Sequence, residues 1–157
     1  MRAEVGEAYE ASTAPTRALQ KAKGQRLSLR RALDEFREAL AGPPEEGGPE
    51  RFVPLLEHLR VVFAVHVEVT ESPGGLYEEI LEIAPRLANK IARFRREHTA
   101  IVAALQSALD DLGDGRAVLA ADLRTRLAQL HEVLARHRER GADLVYEAYH
   151  VDIGGES

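Results

Sequence analysis

His66, His98 and His137 each fall where an apolar helical repeat calls for Leu, Ile or Phe. An imidazole in an apolar interior is a polar group that needs a partner. A single core histidine is ordinarily neutral and hydrogen-bonded to a carbonyl or a carboxylate. Three of them, one on each of three helices, converge on one layer if those helices pack antiparallel. A layer of inward imidazoles in a helical bundle is one way to hold a non-haem metal. Structural burial and metal or ligand binding are both open from the histidines alone. His58 and His131 sit one residue off the apolar stripe and read as flank or surface residues. His150 lies near the chain end and reads as solvated.

The elements that must position these side chains follow from the periodicity. Helix A is expected from Thr16 to Ala41, with Ala22, Leu29, Leu33, Phe36 and Leu40 on one face. The loop GPPEEGGP stops it. Helix B is expected from Glu50 to Glu71, with Phe52, Leu56, Leu59, Phe63, His66 and Thr70 inward. SPGG breaks it, and LYEEILEIA forms a short helical piece. Pro85 suits the first turn of helix C, which runs to about Leu112 with Leu87, Ile91, Phe94, His98, Ile101, Leu105 and Ala108 inward. After the turn GDG, helix D is expected from Ala117 to Tyr149, with Leu123, Leu127, Leu130, Leu134, His137, Gly141, Leu144 and Ala148 inward. Residues 1–16 read as a polar arm and 17–155 as one all-α, up-down-up-down four-helix bundle.

The register supports convergence. His66 lies about 24 Å along helix B at 1.5 Å per residue. The same distance back along helix A reaches Arg26, one heptad before Leu33. The expected layer is therefore Arg26, His66, His98 and His137. A carboxylate ligand on the same helix belongs three or four residues from its histidine. Four after His66 is Thr70, and four after His137 is Gly141. Glu71 is the nearest substitute, at the SPGG break where unwinding can turn it inward. Tyr146 and Glu147 border the inward face of helix D and are candidates to support the ligands. Gly141 costs about 1 kcal/mol relative to Ala inside a helix. It implies either room for a ligand or a close helix–helix approach.

Composition narrows the chemistry. With 157 residues the chain suits one core. The absence of cysteine excludes disulfides, thiolate zinc sites, iron–sulfur clusters and cysteine nucleophiles. The net charge of −5 comes with both signs interleaved and no basic stripe, so nucleic acid is not an expected partner. No run of about 18 apolar residues is present, so no membrane span is expected. The N-terminal MRAEVGEAYEAS has no apolar signal region, and a cytoplasmic protein is the expectation.

The segments FAVHVEVTESPGGLYEEILEIAPRL, RFRREHTAIV and LARHRERGADLVYEAYHVDIGG resemble the hemerythrin-like (HHE cation-binding) domain, over about residues 27–155. The resemblance implies an up-down four-helix bundle around a non-haem di-iron centre. It carries a histidine of helix B onto His66, of helix C onto His98 and of helix D onto His137. It also implies a histidine on helix A where this chain has Arg26, and carboxylates where it has Thr70 and Gly141. Bridging carboxylates neutralise the charge of two ions. Thr, Gly and a cationic Arg in their places work against a second metal.

The expected reading is a hemerythrin-like protein binding non-haem iron in a reduced site of His66, Glu71, His98 and His137. Arg26, Thr70, Tyr146 and Glu147 would surround it. Its role would be sensing O2, NO or redox state, or handling metal; a weaker third reading is an enzyme using the histidine cluster with Tyr146 and Glu147 for acid–base chemistry, which no nucleophile or phosphate loop supports. The alternative is a metal-free binding or structural module in which a buried Arg26–Glu71 ion pair replaces the metal.

Overall fold

The computed structural model describes residues 16–43, 49–113 and 120–151, which are helical with short connections. Among the described residues there are five α-helices: α1 (Arg17–Ala41), α2 (Phe52–Glu71), α3 (Leu76–Ile83), α4 (Ala88–Gly113) and α5 (Ala120–Tyr146). The arm over residues 1–15 and the expected start of helix D at Ala117 lie outside the described residues. No described helix is long and apolar enough to cross a membrane.

Local chemistry sets the helix ends. Thr16 caps α1, its hydroxyl accepting from the Leu19 amide at 3.1 Å. A 3-10 turn, Pro49–Arg51, leads into α2, and Pro85–Leu87 leads into α4. Between α2 and α3 the chain turns on Gly74, whose φ is +76°. L-residues rarely adopt that region. A Cβ on the adjacent Gly75 would meet the carbonyl oxygens of Ser72 and Val69 at 2.7 Å. Both glycines are therefore structural. The turn they make lays α3 across the bundle end and drives Leu76, Tyr77 and Ile80 into the interior.

The four long helices pack in a ring: α1 on α2, α2 on α4, α4 on α5, and α5 on α1. Side-chain contacts give their directions. Along α1, Gln25 meets Val62 while Ala39 meets Arg51 at the start of α2. His66 and Glu71 of α2 meet His98 and Arg95 of α4 in reversed order. Glu97 and Asp111 of α4 meet Arg140 and Arg126 of α5. Leu33 and Leu40 of α1 meet His131 and Arg124 of α5. Each neighbouring pair thus descends on one helix as it climbs on the other.

The interior holds two apolar clusters. One is built on Leu29, Phe36, Leu56, Phe63, Leu105 and Leu134; the other on Leu76, Tyr77, Ile80, Ile91, Phe94 and Leu144. Burying each large side chain stabilises by about 1.5–3 kcal/mol. A polar layer lies between the clusters, because Gln25, His66, Thr70, His98 and His137 are the buried polar residues among those described.

Candidate metal centre

His66, His98 and His137 are at most 7 % exposed and come together between the two clusters. They offer three ligand nitrogens within 4.8 Å of one another. Their ring centroids are 4.9 Å (His66–His98), 5.4 Å (His66–His137) and 4.8 Å (His98–His137) apart. Phe63 closes one side, its ring 5.3, 5.6 and 5.8 Å from His66, His98 and His137. Phe94 lies 5.4 Å from His137, and Tyr77 stacks on His98 at 5.7 Å. These rings cover much of the imidazole surface.

Each Nδ1 is anchored. His66 Nδ1 is 2.7 Å from Gln25 Oε1, and the Gln25 amide nitrogen donates to the Val62 carbonyl at 3.0 Å. That second bond fixes the amide orientation, so Oε1 accepts and His66 Nδ1–H donates. His98 Nδ1 lies 2.5 Å from Glu71 Oε2, and His137 Nδ1 3.2 Å from Glu97 Oε1. Arginines hold the two carboxylates from outside: Arg95 on Glu71 at 3.3 Å, and Arg140 on Glu97.

With the Nδ1 protons committed outward, the Nε2 lone pairs face inward. His98 Nε2 accepts from the Tyr77 hydroxyl at 3.2 Å. His66 Nε2 and His137 Nε2 face each other at 3.3 Å. Two neutral imidazoles that both carry their proton on Nδ1 have no proton to share there. Protonation is disfavoured, since burial lowers the pKa of both His66 and His98 to about 3 and that of His137 below its ordinary value. The pair therefore presents buried acceptors without a donor, and a cation between them satisfies both.

A metal fits this arrangement. Bonds of about 2.0–2.1 Å from three imidazole nitrogens set the ring centres about 5 Å apart, the spacing found here. Imidazoles that donate their other N–H to an outer carboxylate or amide are the usual form of a histidine metal ligand. Three neutral imidazoles with no thiolate suit Fe(II) or Zn(II).

Several expected residues stand elsewhere. Gln25, not Arg26, supplies the helix A member of the layer. Seven residues fall about 20° short of two helical turns of 3.6, and the buried run Ala22, Gln25, Leu29, in steps of three and four, puts Gln25 on the stripe. Glu71 does not form the expected ion pair with Arg26. It ends α2 on the α4 side and bonds Arg95 and His98, while Arg26 faces Arg138 of α5. Glu71 reaches His98 from the closing turn of α2 and binds the outer face of the ring, not the convergent Nε2 side. Thr70 bonds back to the His66 carbonyl at 2.8 Å.

Tyr146 is 61 % exposed and stacks on His150, because Leu144, Val145 and Ala148 take the inward positions at that end of α5. Glu147 bonds Lys90 on α4 and Arg86 in the turn before it, and these cations keep its carboxyl below the usual range. Neither residue touches the imidazoles. A Cβ on Gly141 would meet nothing within 4 Å, so close helix approach does not explain that glycine and open space does. His58 is exposed, and His131 bonds the Leu33 carbonyl at 3.1 Å, away from the cluster.

Three functional positions escape the periodicity reading: Gln25, Tyr77 and Glu97. Gln25 was detectable as a polar residue three after Ala22 and four before Leu29. Glu97 precedes His98 and turns toward α5. Tyr77 depends on the path of the Gly74–Gly75 turn, and no local signal gives it.

Comparison with known proteins yields no matching family model, no matching curated protein and no matching solved structure.

Proposed function

We propose that the chain is a hemerythrin-like, up-down-up-down bundle that binds one non-haem metal ion, iron in the leading case, through His66, His98 and His137. The reading is carried by three buried imidazoles that offer ligand nitrogens within 4.8 Å of one another and whose Nδ1 atoms are held by Gln25, Glu71 and Glu97. A second ion finds few ligands, since Gln25, Thr70 and Gly141 stand where helix A and the bridging carboxylates would supply them. Bound iron would supply an open coordination position for O2, NO or a similar small ligand and a one-electron couple. The chain's own part is to hold three neutral imidazoles, exclude water with Phe63, Phe94 and Tyr77, and set the outer hydrogen bonds. A cytoplasmic sensor or metal-handling protein is the role these parts suit.

The metal-free module has lost its supporting ion pair, because Glu71 bonds Arg95 and His98. Metal analysis of protein purified without an affinity tag tests the reading. Stoichiometric iron or zinc, abolished by His98→Ala, is expected. A metal content near zero after anaerobic reconstitution with Fe(II) would overturn it.

A further inference from the structure

A second feature lies beside the imidazoles. A cavity of about 20 Å³ is lined by Arg26, His66, Thr70, Tyr77, Arg138 and Gly141, among others. Its size is that of one or two water-sized occupants. Two of its lining residues are arginines. Among the described residues no carboxylate pairs with either, although surface arginines such as Arg95 and Arg140 have acidic partners. The recorded bond between the two residues is Arg138 Nε to the Arg26 main-chain carbonyl at 3.5 Å. Both residues are half-buried, and burial, with Arg138 adding to it, lowers the Arg26 pKa.

Two like charges brought together at half-burial repel and are only partly hydrated. A folded chain relieves that by admitting a counter-ion. Guanidinium forks bind planar oxyanions and carboxylates with paired N–H bonds. Gly141 supplies the space: it stands on α5 three residues after Arg138, and nothing lies within 4 Å of where its Cβ would be. The cavity reaches His66, so an occupant sits next to the imidazole cluster.

We infer that this cavity binds a small monovalent anion of two or three heavy atoms, such as formate or nitrite, between Arg26 and Arg138 at the His66 edge of the cluster. Its relevance to a bound metal rests on the preceding reading; the anion site itself does not. The two arginines hold the anion, and Gly141 admits it.

Sodium nitrite titrated into the metal-free protein at constant ionic strength, followed by calorimetry and by the His66 imidazole NMR signals, is the test. Saturable binding is expected. Arg26→Gln and Arg138→Gln should each weaken it at least tenfold. Gly141→Leu should abolish it while leaving both charges and the helical circular dichroism in place. Arg96→Gln, on the exposed surface of α4, should bind as the unmodified protein does, and sulfate should bind far more weakly than nitrite. Absence of saturable binding, binding by either arginine variant as tight as that of the unmodified protein, or sulfate binding as tight as nitrite would overturn the inference. If metal never binds but nitrite follows this pattern, only the metal reading falls. If metal binds and nitrite does not, with or without metal, only the anion site falls.

Discussion

His66 Nε2 and His137 Nε2 face each other at 3.3 Å, while the Nδ1 proton of each is committed to Gln25 or Glu97. A divalent ion between them converts a repulsive contact into two bonds. Any ligand bound only by the folded state stabilises it, by about 4 kcal/mol at a thousandfold excess over its Kd. For a chain of this size that is roughly 8–16 °C in Tm. Scanning calorimetry of chelator-treated protein with and without Fe(II) or Zn(II) should show such a rise, and His137→Ala should remove it. Superimposable transitions for the unmodified protein would sink the cation argument.

Gln25 fixes the His66 tautomer through two hydrogen bonds, one to the ring and one to the Val62 carbonyl. Gln25→Leu keeps the volume and removes both. It leaves the His66 Nδ1–H buried without an acceptor, a loss of about 1–3 kcal/mol. Removing an outer partner of a metal ligand lowers metal affinity by about 10–100-fold. Gln25→Glu keeps an acceptor and should retain most of that affinity. Competition against a chromophoric chelator measures both variants; equal affinity for Leu and Glu would show that Gln25 does not orient His66.

The bundle and the three imidazoles were legible in the sequence because both depend on periodicity. Leu56, Leu59, Phe63 and His66 recur at helical spacing, and burial follows from that spacing. The partners of the imidazoles were not legible in the same way. Whether Gln25 or Arg26 enters the layer depends on a rotation of about 100° around α1, smaller than the stripe's own width. Glu71 and Glu97 lie on flanks whose direction is set by which neighbouring helix they meet. Tyr146 borders the inward face in the sequence pattern, but Leu144, Val145 and Ala148 fill that face and leave Tyr146 exposed. Tyr77 reaches His98 by way of a tertiary turn that no local pattern encodes.

Tyr77 donates to His98 Nε2 at 3.2 Å, and this hydroxyl is the one donor recorded for that buried nitrogen. Tyr77→Phe should destabilise the metal-free protein by about 1–3 kcal/mol. In the metal-loaded protein the same nitrogen has a second partner, so the loss should shrink. Urea unfolding of both variants in both states gives a double difference. A loss of equal size with and without metal would place His98 Nε2 outside the coordination set.

Acid should unfold the metal-free protein early. In the unfolded chain each histidine titrates near 6.5, whereas burial holds the folded-state pKa of His66 and His98 down to about 3. The unfolded state therefore takes up more protons below about pH 6.5, and stability falls with pH from there toward 3. The contribution is fully present above about 6.5. Denaturant midpoints across pH 4 to 8 should fall on the acid side, and His66→Phe should flatten the fall. A midpoint independent of pH between 4 and 6.5 would mean that the cluster is already protonated when folded.

Gly141 and Gly75 should respond to the same substitution with opposite sign. Gly141 is inside α5, and its added Cβ meets nothing within 4 Å. Gly141→Ala then gains the helix propensity of alanine, about 0.5–1 kcal/mol, with no contact to offset it. Gly75 caps the start of α3, and its added Cβ lies 2.7 Å from two carbonyl oxygens. Main-chain oxygens cannot swing aside as a flexible side chain does, so Gly75→Ala forces the turn apart and loosens the seat of Tyr77. Thermal melts should rise by a few degrees for Gly141→Ala and fall for Gly75→Ala, with the Tyr77 ring losing its near-UV dichroism only in the second. A destabilised Gly141→Ala would mean that α5 approaches a neighbour more closely than the open space beside Gly141 allows.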